Sequence, residues 1–201
     1  MKTCEVKKTW LAKNGWKLSC TVATVGIIIL ASVGIWRFSS NNEIKNRESV
    51  SLSYSAAIAH LNSEGKEARA KVQTFINDYH DHHYSVLAAI QLAKAEIDAK
   101  NLEEGLTQLR WARDKTEDIA LLSLINLRIA RIHKERGDFE KAIAITKKID
   151  SDGWKGYVLE LRGDIELARG RREAAYFFYT EAQQEKSNSQ ILQLKLDDIK
   201  E

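Results

Sequence analysis

NLRIARIHKERGDFEKAIAITKKI, residues 126–149, places two helical stretches on either side of the short polar turn Gly137-Asp138-Phe139. Two more segments fall into the same register: AIQLAKAEIDAKNLEEGLTQLRWA at 89–112 and LELRGDIELARGRREAAYFFYTEA at 159–182. In each, a small residue on the first stretch (Ala93, Ala130, Gly163) is followed twelve positions later by another on the second (Gly105, Ala142, Ala175). Two antiparallel helices approach closely only where side-chain bulk is missing, so this pairing marks helix crossings. The other turns are Lys100-Asn101-Leu102 and Gly170-Arg171-Arg172. Large apolar residues, namely Leu109, Trp111, Phe139, Phe177 and Phe178, are expected to fill the space between layers. Each pair would leave an apolar face for the next to cover, which is the logic of a solenoid.

The second-helix small residues are spaced by 37 positions (Gly105 to Ala142) and then 33 (Ala142 to Ala175). A period near 34 with this small-residue signature resembles the tetratricopeptide repeat, and GDFEKAI at 137–143 matches it best. The usual early Trp and terminal Pro of that repeat are missing. Working outward, residues 48–80 predict a degenerate leading pair, with Ala56, Ala57 and Ala59 small and Val72, Phe75 and Ile76 apolar. Downstream, Ser187-x-x-Gln190 reads as a capping box that opens a last helix. Leu192, Leu196 and Ile199 share one face of that helix, while Lys195, Asp198 and Lys200 lie elsewhere. One apolar and one polar side suit a capping helix. The same helix could serve instead as a ligand for a partner groove.

Composition agrees with an all-helical reading. The 201 residues are 44% hydrophobic and 29% charged, without a single Pro, the strongest helix breaker. Disorder, collagen-like architecture and a disulfide scaffold are excluded, the last because the two cysteines, Cys4 and Cys20, have no downstream partner. Residues 1–40 hold six basic groups against one acid, leaving 25 basic and 27 acidic residues for the rest. The body is thus slightly acidic, which argues against a nucleic-acid interface.

Leu18 to Trp36 is an uncharged run of nineteen residues, LSCTVATVGIIILASVGIW. As a helix it would extend about 28 Å, near the thickness of a bilayer's hydrocarbon core. Trp16, Trp36 and Phe38 bracket it where aromatic rings favour the interface. A cleavable signal peptide with a site at Ser32-Val33-Gly34 is the main rival, but the run is long for one and ends in bulky residues. Lys17, three positions before Cys20, disfavours a lipobox. Five lysines precede the run, against Arg37, Lys45 and Arg47 mixed with Glu43 and Glu48 after it. The positive-inside bias predicts a cytoplasmic tail over 1–17, a transmembrane helix over 18–38, a joint over 39–46 and an exported domain over 47–201.

Chemical motifs are nearly missing. There is no phosphate-binding glycine loop, H-E-x-x-H, C-x-x-C or G-x-S-x-G. Tyr79-His80-Asp81-His82-His83 is the one local cluster, and only His80 and His83 have helical spacing for a shared metal. A polar turn between helices is the simpler reading. No catalytic residue, cofactor or metal is expected, and the chain reads as a non-enzyme. Recognition surfaces are the other candidates. First helices of stacked pairs line a concave groove, and that geometry selects Lys94 and Ile97, then Arg131 and Lys134, then Tyr157, Glu160 and Asp164. Glu160 and Asp164 also read as ordinary solvated charges at i, i+4.

Several stretches together resemble one known family: NGWKLSC (14–20), GIWRF (34–38), SLSYSAAI (51–58), SVLAAIQLAKAEIDAKNLEEGLTQLRWA (85–112), INLRIARI (125–132) and DGWKGYVLELRGDIELARGRREAA (152–175). The chain resembles the bacterial YfgM family, ancillary subunits of the Sec translocon, over nearly its whole length. The resemblance implies an inner-membrane, single-pass protein with a periplasmic TPR-like domain, associated with SecYEG and with a PpiD-type periplasmic chaperone. It also implies contact with newly translocated polypeptides, and no catalytic residues. An adaptor of a different envelope complex and a metal-binding envelope sensor centred on His80, Asp81 and His83 are the alternatives.

Overall fold

The computed structural model describes residues 48–61, 65–185 and 189–200, together with Ser32, Trp36 and Arg37. The chain divides into two compact units, 1–50 and 51–201. The expected membrane span lies outside the described residues apart from Ser32, Trp36 and Arg37, which are helical. Among the described residues no helix is long and apolar enough to cross a membrane.

The second unit is built from helices, with no strand among the described residues. Residues 51–58 close helix α1. There follow α2 (Gly65–Asp78), α3 (His83–Asp98), α4 (Leu102–Asp114), α5 (Ile119–Glu135) and α6 (Phe139–Thr146). A 3₁₀ turn, Asp152–Trp154, leads into α7 (Lys155–Ala168), α8 (Arg172–Glu185) and α9 (Gln190–Lys200). Successive helices pack in the pairs α3–α4, α5–α6 and α7–α8, with α2 against α3 and α9 against α8. The longer first spacing is carried by helix length: α4 runs further past Gly105 than α6 does past Ala142, and α5 has 17 residues against 14 in α7, which outweighs the shorter α4–α5 connection.

The three hairpin turns share one geometry. Lys100, Gly137 and Gly170 occupy the left-handed region at φ 66°, 77° and 76°. In each, the next amide reaches back five residues: Asn101 N–H to Glu96 O, Asp138 N–H to His133 O and Arg171 N–H to Glu166 O, at 2.8, 2.8 and 2.9 Å. This is the Schellman closure, which satisfies the orphan carbonyls at a helix end. Two turns use glycine, for which positive φ carries no Cβ penalty. The first uses a lysine. Asp118 opens α5, its carboxylate accepting the Leu121 N–H at 2.9 Å.

The small residues sit at the crossings. Ala93, Ala130, Ala142 and Ala175 are fully buried. A Cβ on Gly105 would lie 3.2 Å from the Ala93 carbonyl oxygen, and one on Gly163 would enter the ring of Tyr179. One core cluster joins Leu127, Ala130 and Ala142 to Val158, Leu161 and Ile165, with Phe139 packed on it. Burying each large aliphatic side chain of this kind contributes roughly 1.5–3 kcal/mol. The expected filler Phe177 is instead 59% exposed. The buried stripe of α8 runs through Ala175, Tyr179 and Ala182, and residue 177 lies about 200° round the helix from 175. Tyr179 is the aromatic that fills the layer.

Two further expectations are corrected at the ends. Val72, Phe75 and Ile76 of α2 are buried, but Ala56 and Ala59 are exposed. Tyr54 makes the packing contact there, its ring 6.0 Å from Phe75 and 5.3 Å from Tyr84. Ser187 lies outside the described residues, and α9 is capped by Ser189, whose hydroxyl accepts the Leu192 N–H at 3.4 Å. The apolar face of α9 packs as expected, with Leu192 and Leu196 buried against Ala175, Tyr179 and Ala182. Lys195 does not face solvent. It points back across the array toward α7.

Candidate functional site

The largest described hollow lies between the first helices of consecutive pairs. Lys94 and Ile97 on α3 face Arg128, Arg131, Ile132 and Glu135 on α5, and the α3–α4 turn closes one end with Lys100 and Leu102. The hollow measures about 650 Å³ and is open to solvent. Ile97 and Ile132 give it an apolar floor, Ile132 being buried at 3% exposure. Its walls are mainly cationic.

These cations are held in different ways. Arg128 is half-buried and donates from Nη1 to the Ile90 carbonyl at 3.1 Å. Burial, followed by the charge of Arg131, pushes its pKa below the usual arginine value, with Asp98 opposing. Lys94 is 3.8 Å from Asp98, one turn away on the same helix. Glu135, the one acid of the lining, is 3.0 Å from Lys134. Among the described residues, Lys100 and Arg131 have no ion-pair partner.

The candidates read from periodicity thus separate into two places. Lys94, Ile97 and Arg131 line the hollow, and Lys134 stands beside it, engaged with Glu135. Glu160 and Asp164 are elsewhere and are not solvated. Lys195 Nζ lies 2.9 Å from Glu160 and 2.6 Å from Asp164, with all three side chains less than a third exposed. Asp164 also accepts the Tyr179 hydroxyl at 2.7 Å, and Lys195 lies 5.5 Å above the Tyr179 ring. Burial would push the Lys195 ammonium pKa down, but the bonds and charges of Asp164 and Glu160 outweigh it and leave the pKa raised. Burial, then the bond to Asp164, raises the Tyr179 phenol as well. This cluster fastens α9 to α7. Tyr157 lies apart, its ring 5.5 Å from Trp154.

Lys100, Leu102, Arg128, Ile132 and Glu135 complete the hollow without having been selected from sequence. The signal for Arg128 was present: it stands three residues before Arg131, on the same helix face. Lys100 required knowledge of the turn. In the histidine cluster, His80 Nε2 is 2.9 Å from Asp81, and Lys115 is 3.4 Å from the same carboxylate. His82 caps α3 through Nδ1, accepting the Tyr84 N–H at 3.4 Å. The His83 ring packs on Tyr84. Among the described residues no group of three His, Cys, Asp or Glu side chains is placed to hold a metal ion.

Two stacked-pair elements also join neighbouring repeats at their edge. Glu103 in the first turn of α4 pairs with Arg136 after α5, and Glu140 in the first turn of α6 pairs with Arg169 after α7 at 2.7 Å.

The tetratricopeptide repeat-like domain family matches residues 8–201. The ancillary SecYEG translocon subunit of Escherichia coli is 30% identical over 172 residues, covering 85% of this chain and 81% of that protein. The protein of that name from Aggregatibacter actinomycetemcomitans is 25% identical over 196 residues, covering 96% of this chain and 94% of its own. Among solved structures, a tetratricopeptide repeat protein from Parabacteroides merdae aligns at a TM-score of 0.54 and 17% identity, over 79% of this chain and 60% of that one. That likeness concerns the fold.

Proposed function

This chain belongs to the YfgM family of ancillary SecYEG translocon subunits with a tetratricopeptide repeat-like domain, and from that membership we propose that it is a Sec-associated adaptor without catalysis of its own. Residues 18–38 anchor it in the inner membrane, 1–17 remain cytoplasmic, 39–46 form a joint, and 47–201 stand on the periplasmic side. The helical array there binds partner chaperones of the PpiD type and newly translocated polypeptides. The uncharged run from Leu18 to Trp36 and the lysines before it support the topology. The open hollow between α3 and α5 supports the binding role, because a concave face built from first helices is where such arrays take extended or helical partners.

The similarity to named translocon subunits carries this reading. Crosslinking the full chain in native membranes, followed by purification and mass spectrometry, tests it. Recovery of SecY, SecE or SecG together with a periplasmic chaperone is the expected result. Recovery of a different envelope complex without any Sec component would keep the adaptor and overturn the Sec assignment.

A further inference from the structure

The hollow between α3 and α5 has a chemical preference. Lys94, Lys100, Arg128 and Arg131 line its wall as cations; Lys94 has Asp98 at 3.8 Å and the one lining carboxylate, Glu135, is paired with Lys134, which leaves Lys100, Arg128 and Arg131 in excess. This excess sits on a body whose residues after 40 are net acidic, 25 basic to 27 acidic. It is a local concentration and does not reflect composition. Arg128 and Arg131 share one helix face and repel each other, which is part of why the Arg128 pKa is depressed. Such a pair is unfavourable by itself and becomes favourable once an anion lies between or over it. Ile97 and Ile132 make the floor apolar, so a simple ion would leave the floor uncovered.

Deepening the adaptor reading, on which this rests, we propose that the α3–α5 hollow binds an acidic polypeptide segment of a partner protein, its Glu and Asp carboxylates meeting Lys100, Arg128 and Arg131 and its aliphatic side chains seated on Ile97 and Ile132. A peptide satisfies both halves of the lining, because alternating acidic and aliphatic residues present carboxylates to the walls and methyl groups to the floor. Arg128, held by the Ile90 carbonyl, is a fixed point in the site. Arg131 and Lys100 are exposed and set the rim.

The test uses the full chain in neutral detergent micelles and a fluorescein-labelled peptide, GELEDLEIG, read by fluorescence anisotropy. The amide version GQLQNLQIG is the first control, and Lys148→Glu, an exposed charge reversal away from the hollow, is the second. The acidic peptide is expected to bind at least tenfold more tightly than the amide version and to weaken as salt rises. Arg131→Glu should lower its affinity at least tenfold with helical circular dichroism unchanged, while Lys148→Glu leaves it as it was. Equal binding of the two peptides would overturn the acidic preference, and so would an unchanged affinity in Arg131→Glu. Complete displacement of the peptide by phosphatidylglycerol doped into the micelles would assign the hollow to lipid head groups and overturn the proposal. None of these failures touches the membrane crosslinking result, which judges the Sec association separately.

Discussion

Adding one methyl group at Gly163 should destabilise the last repeat by about 1–2 kcal/mol. A Cβ there would stand 2.3 Å from Tyr179 Cε1 and 2.4 Å from Cδ1. Carbon atoms pack at about 3.5–4.0 Å, so relief requires a displacement of roughly 1.2 Å. The ring has nowhere to go. Tyr179 is 1% exposed, and its hydroxyl is tied to Asp164 at 2.7 Å. Forcing the helices apart by that much lies at the upper end of overpacking costs, about 2–3 kcal/mol, and is the cheaper response, since expelling the ring forfeits about 3–5. The better helix propensity of Ala returns about 1 kcal/mol. Gly163→Ala should be compared with Gly153→Ala, where a new Cβ meets nothing within 4 Å. Urea unfolding of the full chain in micelles, followed by circular dichroism at 222 nm, reads the difference, and amide exchange localises it to α7–α9. The penalty should shrink in a Tyr179→Leu background, because the clash is with that ring. A Gly163→Ala protein within about 0.5 kcal/mol of wild type, or an undiminished penalty beside Leu at 179, would refute it.

Other outcomes follow from the same contacts. Lys100→Gly should stabilise the chain by about 0.5–1 kcal/mol, since a non-glycine residue at φ 66° loses more than glycine's extra entropy costs; a lower melting temperature would contradict this. Lys195→Met should release α9, seen as lost amide protection over 190–200 with α3–α6 unaffected. The Lys195 pKa is raised in the fold, so its contribution is complete below the ordinary lysine pKa of about 10.4 and disappears as pH climbs through the folded value. Protection of α9 should therefore fail first at alkaline pH, and uniform loss along the chain would argue against the lock. Asp138 is held below the usual carboxylate range, first by its hydrogen bond with His133. Its contribution is present above the unfolded value near 3.9 and lost as pH falls through the lower folded one. Thermal melts should show Asp138→Asn less stable than wild type at pH 7 and the gap narrowing below about pH 4; a constant gap would count against the His133 contact.

Different residues were legible in the sequence to different degrees, for physical reasons. Ala93 with Gly105, Ala130 with Ala142 and Gly163 with Ala175 could be read because close helix approach needs the same thing everywhere, a lack of side-chain bulk. Phe177 misled because hydrophobicity says a side chain prefers burial without saying which azimuth a helix turns inward. Tyr179, with a polar tip, was the ring that Gly163 made room for. Glu160 and Asp164 looked solvated because their partner, Lys195, is 35 and 31 residues further along the chain. That contact exists only once α9 has folded back. Three of the hollow's eight lining residues were visible: Lys94, Ile97 and Arg131. Lys100 was not, because its place depends on a left-handed turn that normally advertises itself with glycine.

The bond from Lys195 to α7 changes how the array comes apart. In a stack where each layer touches only its neighbours, the outermost helix has one contact and peels away alone. Here α9 lies on α8 yet is bolted to the helix beneath, so α8 cannot loosen from α7 while that bolt holds. Fraying at this end should therefore release α8 and α9 together from α7, so that the C-terminal boundary of the array behaves as a latch with two settings, shut or open.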